Sequence, residues 1–110
     1  MTIEEAEFEE RSGRTLASIA RAVEASGAEC DCEQKGDGVL ELEFENGSRI
    51  IINRHAAARE IWVAAKSGGY HFRFDGAQWV NTRDGMELFA SLSRYVGEQA
   101  GRPVALAATA

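Results

Sequence analysis

Six carboxylates in the first third of the chain are the residues best suited to chemistry. They lie between residues 9 and 33: Glu9, Glu10, Glu24, Glu29, Asp31 and Glu33. Carboxylate oxygens are the ligands that hard cations prefer. Acids at alternate strand positions stand about 7 Å apart, so their mutual repulsion favours cation binding. The spacing is compatible with a loose cation site without a closed cage. Composition alone favours the other interpretation, that these acids only keep an edge strand from pairing with other sheets.

A second group of residues has the composition of a protein interface. Three strand-like segments place one aromatic anchor among apolar, polar and basic side chains: Ile51, Asn53, Trp62, His71 and Arg73. Protein interfaces are enriched in Trp and Arg, with a polar rim around an aromatic centre. The alternative is that Trp62 is an isolated exposed aromatic residue. The pattern favours a docking surface.

The two cysteines, Cys30 and Cys32, are weaker candidates. Their spacing puts both thiols on one face of an extended segment, which suits an ordinary disulfide poorly. A zinc site would need a second Cys or His pair, so we predict buried thiols in a reducing compartment. The sequence also lacks a Glu-x-x-His pair of the kind that builds iron-oxidising centres. We therefore expect a protein that is not an enzyme.

Length and charge set wider limits. A chain of 110 residues fits a single domain, which we expect to span residues 1–110. The formal net charge of −6 would repel nucleic acid and anionic lipid. No apolar stretch is long enough to span a membrane, and the first residues do not have the pattern of a secretory signal. We expect a cytoplasmic protein.

Two segments have the periodicity of helices. Apolar or small residues recur every three to four positions over residues 2–25, and Thr2 with Glu5 forms a capping box. A second helix is predicted over residues 84–99. The first helix turns three acids away from its apolar stripe or onto its flank: Glu9, Glu10 and Glu24.

Between the helices the period falls to two, which is typical of strands. We predict strands over residues 28–33, 40–45, 49–54, 61–66, 70–74 and 78–80. In the loop at Asn46-Gly47, a left-handed Gly47 bulge would pair Glu43 with Arg49 on the solvent face. That register leaves Ile51, Asn53 and His55 on the solvent side. Because Lys66 is a poor core residue, Trp62 takes the solvent face too.

This order of elements predicts an α+β fold. Five or six strands joined by short turns form an antiparallel sheet, and the N- and C-terminal helices pack together on one face of it. The product is a two-layer sandwich. The other sheet face remains open to solvent.

Three long and specific stretches follow the strand pattern: Phe44-Glu45-Asn46-Gly47-Ser48-Arg49-Ile50-Ile51-Ile52-Asn53-Arg54, Ile61-Trp62-Val63-Ala64-Ala65-Lys66 and Gly68-Gly69-Tyr70-His71-Phe72. Together they resemble the bacterial frataxin (CyaY) family. This resemblance implies a protein that binds iron (Fe²⁺ or Fe³⁺) weakly on an acidic ridge and admits other divalent cations. The implied partners are the cysteine desulfurase and the scaffold protein of iron–sulfur cluster assembly. It assigns partner binding to Asn53 and Trp62, and also to His71.

The resemblance leaves several alternatives open. The chain departs from the acid-rich family pattern at Ala20, Arg21 and Ala25, which indicates a lower affinity or stoichiometry for iron. Iron could be donated, sensed or stored, and the protein could instead be a metal-independent interaction module. A ferroxidase ranks last. We expect a monomer, with iron-driven oligomers as the alternative.

Overall fold

The fold is described from a computed structural model of residues 3–108. The elements follow one another as α1 (Glu5–Ser26), β1 (Cys30–Gln34), β2 (Val39–Phe44), β3 (Arg49–His55), β4 (Glu60–Ala65), β5 (Gly68–Phe74), β6 (Trp79–Asn81) and α2 (Leu88–Ala100). None of the helices in this part of the chain is long and apolar enough to cross a membrane.

The six strands form one antiparallel sheet in which each strand pairs with its neighbours in sequence. Strands β1 and β6 are its edges. Both helices contribute to a single core against one sheet face, with Phe8 and Ile19 from α1 and Leu88 and Leu92 from α2 fully buried. The predicted two-layer α+β sandwich is confirmed, with six strands.

The bulged hairpin between β2 and β3 is also confirmed. Glu43 pairs with Arg49, Leu42 with Ile50 and Leu40 with Ile52. Gly47 has a φ of 85°, in the left-handed region that glycine adopts without strain. The core face of the sheet is therefore set by this turn as well as by the alternating pattern.

Both helices begin later than predicted. The first begins at Glu5 with Glu4 at its N-cap, and the proposed cap at Thr2 lies outside the described residues. Ile3 is instead buried in the core, and its carbonyl accepts a hydrogen bond of 2.9 Å from Arg59 Nη1. Strand β6 likewise lies one residue later than predicted, at Trp79–Asn81.

The second helix begins at Leu88, four residues after the predicted start at Asp84. The Asp84 carboxylate accepts the backbone N–H of Met86 at 2.9 Å and so stabilises a turn. Glu87 is the N-cap, where its carboxylate accepts the N–H groups of Phe89 and Ala90. A good N-cap residue outside a helix can equally well cap a turn, and the sequence pattern did not separate the two.

Candidate functional site

The open face of the sheet carries the residues predicted to bind a partner. Asn53, Trp62 and His71 are directly opposite one another on β3, β4 and β5, so they form one row across the sheet. Ile51 pairs with Ala64 in the adjacent row. Arg73, exposed on β5, pairs with Glu60 in the row on the other side. The structure thus brings all five predicted residues onto one surface.

Trp62 stands at the centre of a stack of three rings. The His55 ring lies parallel to it with 3.8 Å between centroids, and the His71 ring lies on its other side at 4.3 Å. The indole N–H donates a 2.8 Å hydrogen bond to Glu60 Oε1, and that same oxygen lies 3.7 Å from His71 Nδ1. We refer to His55, Trp62 and His71 as the ring stack.

Two residues of this surface were not predicted as site residues. Alternation predicts that His55 lies on the solvent face but gives it no role, and the predicted β4 strand does not include Glu60. Their position depends on the β3–β4 turn, where Arg59 has a φ of 54° and His55 pairs with Glu60. A left-handed arginine has no clear signature in sequence, so the register of this turn could not be read in advance.

The predicted acids lie on and around β1, the edge strand next to α1. Asp31 and Glu33 are exposed on the open face of the sheet. Asp31 is directly opposite Glu43, and Glu33 is directly opposite Glu41. Like charges in opposed positions repel each other across a strand pair. The β1–β2 edge therefore holds four carboxylates in a compact group, of which Glu41 and Glu43 were not predicted as ligands.

Several of the acids already have a cationic partner within the protein. The pairs are Glu9 with Arg54 at 3.5 Å, Glu10 with Arg14 on the same helix, Glu29 with Arg102 at 3.9 Å, and Glu33 with Lys35 at 3.4 Å. Exposed ion pairs contribute little to stability and exchange readily, so these acids remain accessible to a cation. A bound cation would nevertheless have to compete with the internal one.

Glu24 and Asp31 also share a cleft at the β1 edge of the sheet. They line a cleft of about 350 Å³ between α1 and β1 together with Ala20, Cys30 and Cys32. Burial raises the pKa of both thiols above the ordinary value, and the neighbouring Cys32 and Asp31 (for Cys30) or Glu24 (for Cys32) raise it further. Within residues 3–108 no three His, Cys, Asp or Glu side chains are close enough to hold one metal ion. The donor chemistry suits a hydrated cation held by one or two carboxylates.

The fold and the site together define a two-layer α+β sandwich with an open sheet face, an aromatic stack and an acidic edge. The chain belongs to the frataxin family, because residues 1–102 match the family model described as a frataxin-like domain.

Named relatives agree with this assignment. The iron-sulfur cluster assembly protein CyaY of Dechloromonas aromatica is 48% identical over 104 residues, which cover 94% of this chain and 99% of the relative. The CyaY protein of Cupriavidus taiwanensis is 54% identical over 102 residues, or 90% of this chain and 92% of the relative. The resemblance predicted from the strand residues is therefore confirmed.

Solved structures agree as well. The frataxin of Psychromonas ingrahamii has a TM-score of 0.84 at 31% identity, covering 94% of this chain and 97% of that protein. A trimeric frataxin of Saccharomyces cerevisiae, complexed with ferrous iron, has a TM-score of 0.65 at 26% identity and covers 93% and 90%.

Proposed function

We propose that this protein serves iron–sulfur cluster assembly in the cytoplasm without being an enzyme. It binds iron weakly as cargo on the acids around β1 and docks on the cysteine desulfurase and scaffold through the open sheet face. Relatives named for cluster assembly, and a yeast frataxin complexed with ferrous iron, support this proposal. The working state is a monomer, and the trimeric yeast relative supports an oligomer as an alternative.

The observation that carries the docking part is the row of Asn53, Trp62 and His71 on a sheet face that no element of residues 3–108 covers. A Trp with polar and basic neighbours is a frequent centre of binding energy. Arg73 and Ile51 extend this surface into the rows on either side. Trp62 is thus surrounded by the polar, basic and apolar side chains that are typical of the centre of a protein interface.

Replacing Trp62 with Ala is expected to weaken binding to the purified desulfurase–scaffold complex. Loss of a central Trp typically costs about 2 kcal/mol, which is about 30-fold in Kd. Calorimetric or interferometric titration measures the change, with Arg94→Ala on the opposite layer as the control. Wild-type affinity for a folded Trp62→Ala variant would refute the docking assignment.

Iron binding is proposed for the cluster of opposed carboxylates, with Asp31 as its most effective member. Asp31 lies opposite Glu43 and lines the same cleft as Glu24. Glu10, in contrast, is 62% exposed and paired with Arg14 on its own helix. Asp31 therefore lies between two other acids, and a bound cation would relieve the repulsion among them.

Asp31→Asn is expected to weaken Fe²⁺ binding about tenfold, because one charge about 6 Å from a divalent cation contributes roughly 1.4 kcal/mol in water. Glu10→Gln is the matched control and should change the affinity by less than about twofold. Anaerobic titration calorimetry with Fe²⁺, or with Mn²⁺ as an air-stable probe, measures both. The same Asn substitution should raise the thermal midpoint of the metal-free protein, since it removes repulsion from Glu43. Equal losses in the two variants would contradict a localised site.

The ion pairs also favour a second function, a metal-independent interaction module. Four of the six predicted ligands are already paired with Arg or Lys: Glu9, Glu10, Glu29 and Glu33. Such acids could exchange internal partners for basic residues of the desulfurase. Binding that falls steeply with salt and is unaffected by iron or a chelator would favour this function.

A further inference from the structure

Both faces of the Trp62 indole are covered by residues of this chain. His55, Trp62 and His71 lie on three adjacent strands, and adjacent strands are about 4.8 Å apart. The interplanar angles are only 11° and 8°, and the centroid separations of 3.8 and 4.3 Å are close to van der Waals contact. The ring normals therefore run across the strands, and the three rings stand upright on the sheet. A partner meets their edges.

The stack is held at two further points. Glu60 Oε1 accepts the indole N–H at 2.8 Å, so the polar edge of Trp62 is already used. The backbone N–H of Ala58 donates to His55 Nδ1 at 3.2 Å, which anchors the imidazole to the β3–β4 turn. A neutral His55 then carries its proton on Nε2. Glu60, which contacts both Trp62 and His71, lies opposite the cationic Arg73 on β5.

We propose that His55 and Glu60 are positioning residues that hold Trp62 upright as a preformed docking anchor, with His71 closing the other side. This proposal rests on the proposed docking function. It also indicates which kind of partner surface the exposed edge of Trp62 would contact. The outer edge of an indole carries the positive end of the ring quadrupole. It therefore fits an electron-rich surface of the partner protein, such as the face of an aromatic side chain.

The expected gain is entropic. A free Trp side chain on an open sheet face samples several rotamers, and ordering a side chain at an interface costs affinity. Two stacked rings and one hydrogen bond fix Trp62 before the partner arrives. Loss of either support should weaken docking although the indole itself remains. A role of His55 and Glu60 in folding alone would not predict this.

The experiment compares paired substitutions on the full chain. His55→Ala removes the stacked ring, whereas His55→Phe keeps a flat ring in its place. Glu60→Ala removes the acceptor of the indole N–H, whereas Glu60→Gln keeps one. Binding to the purified desulfurase–scaffold complex is measured for each variant, with Trp62→Ala and Arg94→Ala alongside. The indole N–H resonances in ¹H–¹⁵N spectra of the free variants report the position of Trp62 independently of any partner.

Both alanine variants are expected to bind about three- to tenfold more weakly, the range for one ordered side chain, and both conservative variants should bind within about twofold of wild type. The Trp62 resonance should shift and broaden in the alanine variants alone. Wild-type affinity for His55→Ala and Glu60→Ala, with weak binding by Trp62→Ala, overturns the positioning role and leaves the docking function intact. Wild-type affinity for Trp62→Ala overturns the docking function itself.

Discussion

Gln99→Met is expected to lower the free energy of unfolding by about 3 kcal/mol, because it leaves two backbone groups without partners that each cost about 1–3 kcal/mol. Gln99 is 6% exposed near the end of α2. Its Oε1 accepts the N–H of Lys66 at 2.9 Å, and its Nε2 donates to the carbonyl of Arg49 at 3.1 Å. One side chain thus ties the helix layer to the β4–β5 turn and to the start of β3.

Methionine is close to glutamine in length and fills the same space, so the loss isolates the polar contacts. Nε2 also donates to Ser48 Oγ at 3.0 Å, but that hydroxyl keeps a 2.6 Å bond to Asn46. For a chain of this size the thermal midpoint should fall by about 15 °C. Glu98→Met, on an exposed neighbour, is the control and should change stability by less than about 0.5 kcal/mol. Similar midpoints for the two variants would show that Gln99 is dispensable.

The faces of the sheet could be predicted from sequence because strand side chains alternate strictly. Leu42 and Phe44 point into the core and Glu43 points out, as the pattern required. The Asn46-Gly47 turn also made the register of β2 and β3 predictable, because a left-handed glycine in this turn fixes which residues of the two strands are opposite each other. The start of α2 could not be predicted so well, because Asp84, a preferred N-cap type, caps a turn, whereas the helix is capped by Glu87, which is not a preferred type.

The sequence predicts which residues belong to the acidic group and to the docking surface. It does not predict which of them are opposite one another on neighbouring strands. Opposition of Asp31 to Glu43 depends on the β1–β2 register, which is set by a turn that contains two left-handed glycines, Gly36 and Gly38. Several registers are compatible with a turn of this kind. The ring stack likewise depends on which residue of β3 faces Trp62. The alternating pattern predicts on which face of the sheet a side chain lies. The chemical properties of a site also depend on which side chains lie beside it on the neighbouring strands.

The two parts of the site share one sheet. Glu33, Glu41, Ile51, Ala64 and Gly69 are successive partners from β1 to β5, so the acidic edge and the docking surface are connected by a single row of residues. A partner seated on the ring stack, as proposed, would therefore lie within one sheet width of a cation bound at β1. The proposed docking and iron sites are thus close together although they use different residues.

Gly38→Ala is expected to lower the free energy of unfolding by about 3 kcal/mol, from left-handed strain of about 1–2 kcal/mol and a steric clash. Gly38 has a φ of 79°, and an added Cβ would lie 2.7 Å from Cγ and Nε of Arg54. The Arg54 side chain cannot move freely. Its guanidinium donates to the carbonyl of Glu9 at 3.2 Å and pairs with Asp37 at 2.8 Å. Displacing it would also remove the cation beside the Glu9 carboxylate.

Gly36→Ala is the matched control, because Gly36 lies in the same turn with a φ of 78° and nothing within 4 Å of an added Cβ. The Gly36 variant should lose only the strain of about 1–2 kcal/mol. Urea unfolding measures both. Adding Gly38→Ala to an Arg54→Ala protein should then cost no more than Gly36→Ala does, since the clashing atoms are gone. Equal costs for the two glycines in the wild-type background would mean that Arg54 yields without loss, and that the link from the β1–β2 turn to α1 is weak.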